Sequence, residues 1–114
     1  MIIKKLDETQ IMNNAHNVDV RNLYNKEAVM ITVITLIPGQ SLKRHITPVD
    51  VVFYVLEGEG IVEIGEEKQK VSKNTLIDSP KDIVHCWYNE SQNPLKFLVV
   101  KAPNPIKKTI FVED

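Results

Sequence analysis

The feature that most constrains this chain is a pair of dense β-branched runs, each shut off by a glycine turn. Residues 29–37 read VMITVITLI and stop at Pro38-Gly39, and residues 51–56 read VVFYVL and stop at Glu57-Gly58-Glu59-Gly60. Val and Ile lose side-chain freedom in a helix and suit the pleated surface of a sheet. Runs too apolar to alternate mark strands covered on both faces. A hairpin follows, with IVEI and KQKV flanking Gly65-Glu66-Glu67. Shorter strands are expected at residues 18–24, 42–47, 75–78, 84–88 and 95–101, with an edge strand at 109–112 and one helical turn within 7–13. No segment sustains a helical period, and there is no internal repeat, low-complexity stretch or linker. Many short strands between turn signals predict an all-β sandwich, barrel or jelly roll.

Composition narrows the functional classes. A chain of 114 residues suits one domain, residues 1–114, built around a single core. Apolar residues at 43% and charged residues at 25% fit an ordinary globular protein. The net charge is −1, and the basic pairs Lys4-Lys5, Lys43-Arg44 and Lys107-Lys108 are short and not interleaved with aromatics. They read as solvated edges rather than a phosphate track, so no nucleic-acid partner is expected. The start, MIIKKLDETQ, lacks the apolar stretch of a signal peptide or membrane span, so no membrane partner is expected. The single cysteine, Cys86, forms no internal disulfide, and the cytoplasm is the expected compartment.

Two spaced signatures carry a family resemblance. Gly39, five residues, His45, and then Gly58 after YVLE resemble the first cupin motif: glycine, five residues, His-x-His, three or four residues, glutamate, six residues, glycine. Asn74, five residues, Pro80, then His85 and Asn89 resemble the second motif, with Asn74 and Asp82 where that motif has glycines. Both residue types tolerate positive φ, so the turns survive. Fifteen residues, 59–73, separate the motifs, and the resemblance spans about residues 29–102. It implies a small single-domain cupin: one jelly-roll β-barrel, or double-stranded β-helix.

The resemblance also implies a divalent transition metal inside the barrel, held by three histidines and a glutamate. Carried over position by position, His45 and His85 are metal ligands, while the second histidine position is Thr47 and the glutamate position is Val51. Asp50 is adjacent, but strand alternation sends neighbours to opposite faces unless a bulge at Pro48-Val49 intervenes. The ligand set is therefore incomplete, and no metal at all is the competing expectation.

Alternation also sorts a pocket. Lys43 and Thr47 share the face of His45; Val51, Phe53 and Val55 point inward; Ile83 and Trp87 accompany His85. The expected ligand-binding pocket is His45, Thr47, Val51, Phe53, His85 and Trp87, apolar walls with a few directional polar groups. Cys86 faces outward as a buried small hydrophobe, His16 is a surface residue, and Glu57, Glu59, Glu63, Glu66 and Glu67 form a solvated side.

Three functions remain open. The first-ranked is a small-molecule-binding cupin without metal, its ligand unnamed. The alternatives are a metal-dependent cupin enzyme (dioxygenase, decarboxylase or isomerase) and a metal-free enzyme with a histidine general base. Val52, Tyr54 and Leu56 face outward and are apolar, which predicts a two-fold homodimer burying that face.

Overall fold

The structure, a computed structural model, describes residues 1–105 and 109–113. Lys107, Lys108 and Asp114 lie outside the described residues. Among the described residues, ten strands follow a 3-10 turn at Leu6–Glu8: β1 Asp19–Asn25, β2 Met30–Leu36, β3 His45–Ile46, β4 Asp50–Glu57, β5 Glu59–Ile64, β6 Glu67–Ser72, β7 Leu76–Ser79, β8 Val84–Tyr88, β9 Leu95–Ala102 and β10 Ile110–Phe111. They form two five-stranded antiparallel sheets, ordered β1-β2-β9-β4-β7 and β10-β3-β8-β5-β6. The strand pattern predicts a sandwich, barrel or jelly roll, and the arrangement is the jelly roll that the motif resemblance implies.

Period-two alternation sets what lies between the sheets. Leu36, Val55, Leu95 and Phe97 from the first sheet pack with Val62 and Trp87 from the second. Trp87 stacks on Phe97 at 4.3 Å between ring centroids and meets Phe53 edge-on at 5.4 Å. Truncating a ring of this kind to Ala costs about 3–5 kcal/mol.

The turns hold the register. Gly58, between β4 and β5, has φ +81, and a Cβ there would run into the Pro94 carbonyl oxygen. Asn74 and Asp82 adopt φ of 67 and 65, so both replace glycine in the left-handed region as expected. Asn89 is buried; its amide donates to the carbonyls of Leu36 and Asn93 and its Oδ1 accepts from Ser91, tying together the end of the barrel away from the histidines.

Candidate functional site

The site is built where β3 pairs with β8. His45 and His85 are directly opposite in the antiparallel register, and Phe111 of β10 is opposite His45 on its other side. The His45 and His85 rings are 4.4 Å apart, and both residues are buried. Only two residues of the expected strand 42–47 form regular ladder pairs. Ser41 bridges Tyr88 while His45 pairs His85, so four steps along one chain oppose three along the other. The extra residue is a bulge at Lys43-Arg44.

That bulge corrects the expected position of Lys43. Its side chain is exposed rather than on the face of His45, and its peptide serves the site instead. The Lys43 N–H donates to His16 Nδ1 at 2.9 Å, and the Lys43 carbonyl accepts from His45 Nδ1 at 2.7 Å. His16, expected at the surface, stands 4.9 Å from the His45 ring and 5.5 Å from Phe111. It comes from the loop before β1, where no strand periodicity could have signalled it. His85 is held at both nitrogens, by Ser79 Oγ at 2.6 Å on Nδ1 and Thr47 Oγ1 at 3.3 Å on Nε2.

The first sheet supplies the facing wall. Val51 and Phe53 of β4, and Val99 and Lys101 of β9, line a cavity of about 220 Å³ together with His16, His45 and His85. That volume holds about seven water molecules. Of the six expected pocket residues, His45, Val51, Phe53 and His85 line this cavity. Thr47 is one layer behind, bonded to His85, and Trp87 is deeper, in the aromatic core. Its indole N–H has no hydrogen-bond partner among the described residues. Ile83 precedes β8 and is exposed, so alternation from His85 does not reach it. Sequence reading missed Lys101, although the period-two series Leu95, Phe97, Val99 and Lys101 carried the signal.

The imidazoles are held neutral. Burial first, then the charges of His45, Lys101 and His16, pushes the His85 pKa down to about 3. Burial, then His45, Lys43 and Lys101, pushes His16 down to about 4. His45 is lowered by burial and by Lys101, against the opposing pull of its bond to the Lys43 carbonyl. Burial lowers Lys101 as well. At such low basicity, His85 is a poor general base at neutrality.

The donor set does not fit the metal that the motif pattern implies. Among the described residues, no three His, Cys, Asp or Glu side chains gather in ligating positions. Asp50 is exposed and accepts the Lys81 N–H, so it does not stand in for the carboxylate absent at Val51. Thr47 Oγ1 is directed to His85, and Lys101 is the cross-strand neighbour of Val51.

On the outer face of β8, Cys86 is buried against Glu63 and Tyr88 rather than being a purely apolar filler. Burial lifts its thiol to about 11, so it stays protonated. Glu63 is not part of a fully solvated side: the Tyr88 hydroxyl donates to it at 2.6 Å and holds its carboxyl below the usual range.

Two antiparallel sheets closed around opposed histidines define a jelly-roll barrel with an internal site. The Cupin domain family model matches residues 32–101, and the chain belongs to that family. Protein TT1209 of Thermus thermophilus is 33% identical in its crystal structure, with a TM-score of 0.79 over 92% of this chain and 100% of that one. Uncharacterized protein MJ0764 of Methanocaldococcus jannaschii is 28% identical over 89 residues, 77% of each chain. The polyketide cyclase RemF of Streptomyces resistomycificus superposes with a TM-score of 0.87 over 100% of this chain and 87% of that one. At 17% identity it shows the fold alone.

Proposed function

We propose that this chain is a metal-free, small-molecule-binding cupin that holds its ligand in the cavity between His16, His45, His85 and the β4–β9 wall. The observation that carries the reading is the cavity itself: about 220 Å³, walled mainly by apolar side chains, with few convergent polar groups. The volume is below the range typical of drug-sized ligands, so the ligand is a small metabolite. The mismatch between donor set and metal ranks the metalloenzyme reading second, and the weakly basic His85 ranks a histidine-base enzyme third.

The same reading takes the protein to be a cytoplasmic homodimer. Among the described residues no helix is long and apolar enough to cross a membrane. Val52, Tyr54 and Leu56 lie half-buried on the outer face of β4, while Met1, Ile2 and Ile3 are exposed. A second copy would cover both features.

A thermal-shift screen of the full chain against small organic molecules, run beside metal analysis of chelator-free protein, tests the function. A ligand specific to the native state raises Tm. Near-stoichiometric transition metal would overturn the reading in favour of the metalloenzyme.

A further inference from the structure

Lys101 changes what kind of small molecule the cavity can hold. It is the last inward residue of β9, directly opposite Met30 on one side and Val51 on the other. Val51 is the position at which the family pattern carries a carboxylate, so the neighbour that would neutralise Lys101 is a valine. Among the described residues no carboxylate lines the cavity and none forms a salt bridge to Lys101. The other polar groups of the lining are the three imidazoles, the amides of Asn14 and Asn22 and the hydroxyls of Thr32 and Thr109, none of them anionic. His16 accepts from the Lys43 N–H and so carries its proton on Nε2, which makes that atom a donor.

A half-buried ammonium without a counter-ion is costly unless something pairs with it. The β4–β9 part of the wall beside Lys101, formed by Val51, Phe53 and Val99, is apolar and lines the same cavity. We infer that the cavity is a receptor for small organic carboxylates, with Lys101 pairing the carboxylate and the β4–β9 wall covering an apolar body. This rests on the cavity being the binding site and adds the ligand's charge and class. The volume of about 220 Å³ equals about seven waters at ~30 Å³ per molecule, and because covalently bonded atoms pack closer than separate waters it admits a body of about ten heavy atoms at most.

Matched pairs of probes test it. Benzoate and isobutyrate are titrated calorimetrically into the full chain at pH 7.5, beside their neutral isosteres benzamide and isobutyramide. The wild type is expected to prefer each acid to its amide by about tenfold or more, the range of a charge-assisted contact. In Lys101→Met, which keeps most of the side-chain volume, that preference is expected to vanish while amide binding persists. The variant removes a buried charge, so it should fold at least as stably as the wild type. Equal binding of acids and amides by the wild type would overturn the carboxylate inference and leave the cavity reading intact. A preference for acids that survives in Lys101→Met would overturn the role given to Lys101. Binding of none of the four probes would count against both the inference and the cavity reading.

Discussion

At position 43 the peptide acts on the cavity and the side chain does not. Its N–H and carbonyl are spoken for by His16 and His45, which fixes complementary tautomers: the proton on Nε2 in His16 and on Nδ1 in His45. Protonating His16 would set N–H against N–H and break the contact. This geometry, with burial, gives stability a definite dependence on pH. The folded-state values of all three imidazoles lie below the unfolded 6.5, at about 4 for His16 and about 3 for His85. Below 6.5 the unfolded chain therefore binds more protons than the native one, and stability falls as pH drops toward 4 and then 3. Above about pH 7.5 the histidines contribute no slope. Urea midpoints measured from pH 8 to 4 should decline through this window, and a flat profile would show that the rings are solvated. Lys101 makes a second prediction at this scale. The double change Thr47→His and Val51→Glu supplies the missing metal-ligand types, but it also sets a carboxylate opposite Lys101. Zn²⁺ affinity should rise by a further tenfold or so when Lys101→Met is added, because the ammonium no longer competes for that carboxylate. Calorimetry that finds the double and triple variants equal would remove Lys101 from the account of metal exclusion.

Among the elements, the strands were legible and the interruptions were not. The expected strand 84–88 coincides with β8, and 95–101 falls within one residue of β9, because period-two alternation over a buried inner face is a strong local signal. Within β4, Val51, Phe53 and Val55 are buried as alternation demands, while Val52, Tyr54 and Leu56 are half-buried. The reading failed at β3, where one extra residue reverses the faces and turns Lys43 out. It failed at His16 because a loop residue reaches its partner through the fold, 27 positions away, rather than through any local pattern. For Trp87 the face is correct and the depth is not: alternation gives direction and says nothing of distance from the barrel mouth. The β4–β5 turn offers a test of how tightly the elements are joined. Gly58→Ala would need a left-handed backbone and would drive its Cβ into the Pro94 carbonyl. A loss of about 2 kcal/mol or more is expected in denaturant titration. A loss below about 0.5 kcal/mol would mean that the turn can shift away from Pro94.

For the molecule as a whole, the outer face of the first sheet bears on assembly. The 3-10 turn reaches it at one corner, where Arg21 Nη1 donates to the Leu6 carbonyl, and Val33 near that corner is buried. Val52, Tyr54 and Leu56 on the same face are half-buried, and Ile2 and Ile3 remain 87% and 76% exposed. Sedimentation velocity at micromolar concentration is expected to give a dimer, and Tyr54→Lys on the outer face is expected to shift it toward monomer. A wild-type monomer would end the dimer proposal. The order of strands has a further consequence, for biosynthesis. In β1-β2-β9-β4-β7, the last long strand to leave the ribosome is the middle one. Until residues 95–102 emerge, β2 and β4 have no partner between them, and two of the most apolar segments wait with open edges. A nascent chain halted before β9 is thus a natural client for chaperones. Closing these distant pairings is expected to put formation of the sheet in the millisecond-to-second regime of non-local β topologies, which stopped-flow refolding checks.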